Sequence, residues 1–484
     1  MRAITAALAA RPFTAVTCEI VSAPGGELHA TADSWSARPP VRVYVKDLAS
    51  SRRTQIDFHE VWWADVNEPY SLMKQLRFWM WSLSVWLYPN KRRSLLPTAG
   101  AVTPPSSPHG RALEAWNRLR LLGIGFVAVL LAASVGLVTF LAERLLKLAP
   151  PDIVRTFVNY VAGVKLYNQK HRMGAGIPSS PVDFLDSMGE PPRVSIRRRM
   201  IRTLMIMGGE RYDRWYVFAH SLGSVVAFNG LMETAYAWPG YFDYDTWHEA
   251  KTAPKPLAGL AQNGWPDPPP GDTLPTRPVW AAPREIAYRS RIFENFHGLL
   301  TFGSPLEKFA AIWPARVPIS KEPAFRAGTE WINVYDPTDP VSGVLRAFSR
   351  AGTPCCPAPR NHGFAAGPIL LLSHLKYLRA SRTRSGLADG IAEWLLTGST
   401  AKIGTGQGWF VPGSAEHFWR GVLAWVSWLL AVVILTLLGA LVLPPVVSTL
   451  RKSACALERS IDSGIHRSAA RCEVTHPVDE EERP

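Results

Sequence analysis

Cysteine is scarce in this chain, with five residues among 484. Their spacing fits no metal-binding pattern, and an odd number of cysteines cannot form a complete disulfide framework. The adjacent Cys355 and Cys356 are more typical of two small buried residues than of a redox pair. We therefore expect no bound metal and no cofactor.

Charged residues are also few, at 19% of the chain, and their balance is basic, with a formal net charge of +14. The basic side chains are scattered or flank apolar segments, and no nucleic-acid-binding motif is present. This distribution argues against a DNA- or RNA-binding protein and favours anionic lipid headgroups. We expect a membrane as a partner and no nucleic acid.

Long apolar runs are present. Residues 121–142 and 422–443 each extend for about 22 residues without a charge, enough for a helix to cross roughly 30 Å of hydrocarbon. Residues 75–88 are rich in Trp but short, and we expect them to form a membrane hairpin with 121–142. The start, MRAITAALAARPF, makes a poor signal peptide because Arg11 and Pro12 interrupt it. These features predict a multi-pass protein of a bacterial inner membrane, with the side of its globular part left open.

Strand-like and helix-like segments alternate along the rest of the chain. This alternation predicts an α/β fold with a mostly parallel sheet that is covered on both faces, and the apolar runs add transmembrane helices to it. The predicted strands are 41–48, 56–66, 214–219, 299–302 and 330–335. The predicted parts are N-terminal strands (1–72), a membrane hairpin (73–148), an α/β domain (149–400) with a Pro-rich insertion (236–290), a linker (401–419), a transmembrane helix (420–445) and a disordered tail (446–484).

The stretch WYVFAHSLGSVVAF places Ser221 at a sharp corner between a strand and a helix. A serine hydroxyl is a weak nucleophile, so it needs a neighbouring base and a carboxylate that orients the base. The helix N-terminus points its free N–H groups at a developing oxyanion, and the N–H of Leu222 is the expected donor. The small residues Ala219 and Gly223 allow the tight turn, although Ala219 departs from the usual G-x-S-x-G pattern. The alternative is a serine that caps an ordinary helix.

The acid and the base are expected later in the chain. YDPTDPVSG offers Asp339 and Asp336, and we favour Asp339 because it lies further beyond the strand. His374 opens a helical stretch and is preferred as the base over His362, which we place in a loop.

Two residues near these corners could compete for a catalytic role. His220 precedes the serine, so its side chain should point away from the hydroxyl, and we interpret it as structural. Ser304 in GSP is a rival nucleophile, but the following Pro305 indicates a turn.

Four segments, AHSLGSVVAF, LLTFGSPLEKF, WINVYDPTDPVSG and SHLKYL, resemble bacterial α/β-hydrolase fold proteins related to lipases and esterases. IDFHEVWWADV also resembles a strand of membrane-associated members. The resemblance covers most of 41–66 and 195–380. It implies a doubly wound α/β sheet and a triad of Ser221, Asp339 and His374.

The chain lacks the early His-Gly strand end whose loop gives such proteins a second oxyanion donor. Residues 11–28 contain only Gly25 and Gly26. Loss of one donor typically costs about 3–4 kcal/mol of barrier. We therefore carry two hypotheses: a membrane-anchored serine hydrolase that cleaves a carboxylic ester of a lipid or another apolar acyl compound, with 236–290 as a lid, and a catalytically silent scaffold that binds a partner at the membrane.

Overall fold

The protein is described by a computed structural model, and the chain divides into two compact units, Met1–Ser427 and Trp428–Pro484. The helices and strands named below belong to the first unit. The structure describes residues 1–11, 14–20, 40–48, 51, 53–63, 167, 192–210, 212–262, 277–312, 317, 325, 328–339, 341–349, 358–367, 370–378, 386–411, 413–424, 426 and 430.

The helices and strands alternate irregularly along these residues. They include α1 (Arg2–Ala9), β1 (Thr14–Ile20), β2 (Val41–Asp47), β3 (Arg53–Phe58), α2 (Pro192–Gly209), β4 (Trp215–His220), α3 (Leu222–Leu231), a 3-10 turn (Trp238–Tyr241), α4 (Tyr244–Thr252), β5 (Ala258–Leu260), β6 (Glu285–Ala287), α5 (Arg289–Ile292), β7 (Phe296–Phe302), α6 (Leu306–Ile312), β8 (Glu330–Tyr335), α7 (Arg346–Ser349), β9 (Arg360–Phe364), α8 (Leu370–Leu375), α9 (Gly386–Thr397) and β10 (Trp409–Phe410). Residues 415–424 are also helical.

The fold predicted from the sequence, a single doubly wound and mostly parallel sheet with transmembrane helices, is wrong. The described strands form three sheets: an antiparallel β1-β2-β3 sheet, a mixed five-stranded sheet of order β10-β9-β8-β7-β4, and an antiparallel β5-β6 pair. Of the predicted strands 41–48 and 56–66, residues 41–47 and 56–58 belong to the first sheet and not to the sheet of Ser221. Residues 59–63 are not a strand, and 64–66 lie outside the described residues. The physical reason is local pairing. The connection between β2 and β3 is too short for a parallel crossover, so they pair antiparallel, and β1 occupies the other edge of β2.

The predicted multi-pass membrane protein is also contradicted. Within the described ranges, no helix combines the length and the apolar character that a membrane crossing requires. The longest of the helices above, α2, has 18 residues and carries five arginines, which would be costly in hydrocarbon. The segments 75–88 and 121–142 lie outside the described residues, as does 422–443 except for residues 422–424, 426 and 430.

The mixed sheet has an apolar core on each of its faces. Along β4, Trp215, Val217 and Ala219 pack with the core around α2 and α3, whereas Tyr216 and Phe218 pack with the core around α9 and β2. This alternation is the two-residue period of a strand. The apolar face of the β1-β2-β3 sheet joins the second core.

The described part of the Pro-rich insertion predicted at 236–290 forms regular structure. It contains the 3-10 turn, α4 and the β5-β6 pair, and residues 263–276 lie outside the described residues. Trp238 and Trp247 are both at most 1% exposed, so buried aromatic side chains hold a segment whose prolines indicated irregular structure. Its role as a lid stays a prediction.

The parallel strands β4, β7 and β8 end at the same edge of the mixed sheet. Chain segments that follow these three strands therefore meet in space, although they lie far apart in sequence. This edge positions the candidate site.

Candidate active site

Ser221, His374 and Asp339 come together at this edge. Oγ of Ser221 lies 2.9 Å from Nε2 of His374, and Nδ1 of His374 lies 2.9 Å from Oδ2 of Asp339. Ser221 follows the last residue of β4, Asp339 lies in the turn after β8, and His374 lies in the last turn of α8 instead of opening a helix. All three residues are buried, with exposures of 8%, 6% and 3% for Ser221, His374 and Asp339.

The positions of the hydrogens in this chain of hydrogen bonds can be inferred from which groups only accept. A carboxylate only accepts, so Nδ1 of His374 carries a hydrogen that it donates to Asp339. In the neutral imidazole, Nε2 is then left with a lone pair that accepts the O–H of Ser221. This is the tautomer in which His374 can remove the hydroxyl proton.

Ser221 has a strained backbone. Its φ is +55° and its ψ is −132°, a region that residues with a side chain rarely adopt and that costs about 1–3 kcal/mol. Its N–H donates to the carbonyl of Phe302 at 3.1 Å. The corner between β4 and α3 is thus tied to the neighbouring strand β7, which compensates for the strain.

A pair of serines holds the other side of this corner. Ser224 donates its hydroxyl hydrogen to the carbonyl of Ser221 at 2.6 Å, so its Oγ can only accept from any further partner. The hydroxyl of Ser304, 2.7 Å from Oγ of Ser224, must therefore donate to it. Ser304, the rival nucleophile, accepts in turn from the N–H of Leu306 at 3.3 Å and braces the corner.

The remaining elbow residues lie next to this corner. Leu222 is the first residue of α3, where its N–H has no acceptor within the helix. Ala219 is 5% exposed, and a Cβ at Gly223 would approach the ring of Trp63 to 3.4 Å, close to ordinary contact. The requirement for glycine at position 223 is therefore weaker than the motif indicates.

The segment 59–63 approaches the elbow from the direction of β3, as the contact of Trp63 with the Gly223 position shows. The region in which sequence reasoning sought a second oxyanion donor, 11–28, instead contains β1 of the separate antiparallel sheet.

Asp339 is held as a carboxylate although its side chain is fully buried. Its Oδ1 accepts the N–H of Val341 at 2.8 Å. Burial alone would raise the pKa of Asp339, but the imidazole of His374 and these hydrogen bonds hold that pKa below its ordinary value.

Asp336, the other candidate acid, has a different set of partners. Its carboxylate accepts the N–H groups of Thr338 and Ala366, at 2.9 and 2.8 Å, and pairs with Arg420 at 3.3 Å. Burial raises the pKa of Asp336, and the Thr338 N–H and Arg420 oppose this rise. Asp336 therefore shapes the turn that carries Asp339.

His220 packs directly against the base. Its ring centroid lies 4.7 Å from that of His374, and its Nε2 lies 2.9 Å from the carbonyl oxygen of His374. A carbonyl only accepts, so Nε2 of His220 carries the hydrogen. Burial, followed by the neighbouring His374, lowers the pKa of His220 to about 4, so this ring is neutral at neutral pH.

His362 lies in β9 and not in a loop. A Cβ at Gly404 would approach its ring, which also contacts Trp409 edge to face. Pro and Gly around His362 suggested a loop, but pairing with β8 made this segment a strand.

Two residues that sequence reasoning missed complete the site. Tyr377 donates its hydroxyl to Oδ2 of Asp339 at 3.0 Å. Gly303 has a φ of +59°, and a Cβ there would lie 3.1 Å from both His220 and Tyr377. The sequence carried signals for both, since Tyr377 follows His374 by three residues and Gly303 opens the GSP turn.

Among the residues that the structure describes, no group of three or more His, Cys, Asp or Glu side chains could hold a metal ion. Comparison of the chain with protein-family models, curated proteins and solved structures found no match. The resemblance to lipases and esterases therefore stays a prediction.

The strain at Ser221 can be measured by comparing two variants. Ser221→Ala and Ser221→Gly both lose the hydrogen bond to His374, but only glycine adopts the observed φ and ψ without strain. We expect Ser221→Gly to be more stable than Ser221→Ala by about 1 kcal/mol, after allowing for the greater freedom of glycine in the unfolded chain. Urea unfolding measures this difference, and a less stable glycine variant would contradict it.

The neutral state of His220 predicts a pH-dependent stability. Its pKa is about 4 in the folded protein, below the ordinary 6.5, so the unfolded chain binds the proton more readily between these values. Stability is therefore lost as the pH falls through this window. His220→Gln keeps an N–H donor without titrating, and relative to it the wild type should lose roughly 3 kcal/mol between pH 6.5 and 4. Parallel stability curves would argue against a buried neutral His220.

Proposed function

We propose that this protein is a serine hydrolase that cleaves a carboxylic ester. The observation that supports this most strongly is the continuous hydrogen-bond chain from Ser221 through His374 to Asp339, with both distances at 2.9 Å. A serine that merely capped a helix would bond to the N–H groups of its own helix, and Ser221 makes no such bond.

In the proposed reaction, Oγ of Ser221 attacks the ester carbonyl while Nε2 of His374 takes the hydroxyl proton. Asp339 stabilises the imidazolium that forms. Collapse of the tetrahedral intermediate breaks the ester C–O bond, and His374 returns the proton to the leaving alkoxide. Water, activated by His374, then releases the acid from the acyl-enzyme.

The start of α3 supports the oxyanion that develops during attack. The N–H of Leu222 and the positive end of the helix dipole lie next to Ser221. A site with one identified donor suits an ester better than an amide, because the ester has the better leaving group and the lower barrier.

An adjacent cavity favours an apolar acyl group. This cavity has a volume of about 1220 Å³, runs along β4 and includes Ala219, His220 and Gly223 on either side of the serine. Apolar side chains line much of it near α2 and α3, among them Val61, Trp63, Leu204 and Val226. An acyl chain bound there would bury apolar surface, the main driving force for binding such a group.

A fluorophosphonate probe tests the nucleophile. We expect the wild type to be labelled on Ser221 and Ser221→Ala not to be labelled, with the modified peptide identified by mass spectrometry. Ser304→Ala is the matched control. It should still be labelled, though more slowly, because Ser304 only braces the corner. Labelling that persists in Ser221→Ala, or a wild type that never reacts, would overturn the proposal.

The two carboxylates should differ in their effect on the labelling rate. Asp339→Asn can present an N–H to His374 and so favour the wrong tautomer, which should reduce the rate about 10³- to 10⁴-fold. Asp336→Asn loses its pairing with Arg420 and should lower stability, with a rate for the folded protein within about tenfold of the wild type. The reverse order of effects would show that Asp336 orients the base.

A further inference from the structure

Tyr377 contacts the acid of the proposed triad. It lies just beyond α8, three residues after His374, and is 1% exposed. Its hydroxyl lies 3.0 Å from Oδ2 of Asp339 and 3.1 Å from Oγ of Ser342. The N–H of Asp336 donates to the same hydroxyl at 2.9 Å.

The direction of the hydroxyl hydrogen follows from the neighbouring groups. Ser342 donates its own hydrogen to the carbonyl of Asp336 at 3.1 Å, so its Oγ serves Tyr377 only as an acceptor. Tyr377 can therefore donate its hydroxyl hydrogen either to the neutral oxygen of Ser342 or to the buried carboxylate of Asp339. The charged acceptor forms the stronger bond.

We propose that Tyr377 is a positioning residue for the triad, whose hydroxyl holds the carboxylate oxygen of Asp339 that accepts the Nδ1–H of His374. This inference rests on the proposed serine hydrolase activity. Oδ2 of Asp339 then receives two hydrogen bonds, while Oδ1 receives the N–H of Val341. Three bonds fix the rotation of the carboxylate, and with it the orientation of the imidazole.

The ring of Tyr377 packs against other rings on several sides. Phe302 and Phe364 lie at centroid distances of 6.0 and 6.4 Å, and His220 lies at 6.1 Å. Gly303 leaves room for the ring, because a Cβ there would come within 3.1 Å of it. These contacts come from β7, β9 and β4, so three strands position one hydroxyl.

The shared oxygen also adjusts the strength of the base. The hydroxyl of Tyr377 withdraws part of the negative charge from Oδ2, which weakens the attraction between Asp339 and protonated His374. Other charged or titratable groups around this pair are His220 from β4, Lys308 from α6, and Asp336 with Arg420. These four side chains are the same in Tyr377→Phe. The N–H of Asp336 loses the Tyr377 hydroxyl as an acceptor but still lies 3.3 Å from Oγ of Ser342.

A purely structural role is the competing explanation, because Tyr377 also contacts Asp336 and Ser342 in the turn after β8. A residue that only stabilised this turn would change the stability of the protein. It would not change the pH at which the base becomes protonated. The pH dependence of the reaction therefore separates the two roles.

The experiment measures the rate constant of fluorophosphonate labelling against pH in the 484-residue chain. In Tyr377→Phe, Oδ2 of Asp339 loses one hydrogen bond and attracts protonated His374 more strongly. We therefore expect the acidic midpoint to move up by about half a pH unit and the plateau rate to fall about tenfold. Tyr377→3-fluorotyrosine donates more strongly and should move the midpoint down by a few tenths of a unit. Tyr335→Phe removes another buried tyrosine hydroxyl, one that does not contact Asp339, and should leave the midpoint unchanged.

The outcomes distinguish this inference from the proposed function. A wild type that is not labelled would overturn the serine hydrolase proposal, and the positioning role with it. A labelled wild type whose midpoint is the same in Tyr377→Phe would overturn the positioning role alone, even if the variant were less stable. If Tyr377→Phe does not fold, the same measurement is made on the 3-fluorotyrosine variant, which keeps the shape of the side chain. A midpoint equal to that of the wild type in this variant would overturn the inference.

Discussion

The site depends on one backbone conformation, that of Ser221. A φ of +55° with a ψ of −132° turns the chain from β4 into α3 and directs Oγ toward His374. Glycine would adopt this conformation at lower cost, so a serine that is held there against strain points to a use for its hydroxyl. The compensating bonds come from the carbonyl of Phe302 and from Ser224. Strain in one residue is thus offset by two neighbouring segments.

Because the site is buried, its charged groups need hydrogen-bond partners inside the protein. Asp339 has no exposed side-chain surface, and an ionised carboxylate in such a place is costly unless hydrogen bonds surround it. His374, Tyr377 and the N–H of Val341 supply these bonds. The neutral ring of His220 completes the arrangement, since a second positive charge beside His374 would oppose protonation of the base. The groups around Asp339 donate hydrogen bonds to its negative charge, and the ring beside His374 is neutral.

Sequence reasoning worked best for short segments and poorly for long-range pairing. The turn chemistry around Ser221 and the position of Asp339 beyond a strand are local properties, and the structure brings both residues to His374. The sheet was predicted wrongly, because strands at the N-terminus have the same alternating pattern whether they join the sheet of Ser221 or form their own. His362 was misplaced for the related reason that its strand depends on pairing with β8.

The sequence by itself determined the groups that can react, namely a serine at a strand–helix corner, two carboxylates in one turn and two histidines further along the chain. It could not decide which carboxylate and which histidine are within hydrogen-bonding distance, or that Tyr377 and His220 contact them. Those contacts arise where β4, β7 and β8 end at one edge, and only the folded arrangement of strands brings residues about 150 positions apart within 3 Å of one another. The reason is physical: side-chain type is local, whereas distance depends on the path of the whole chain.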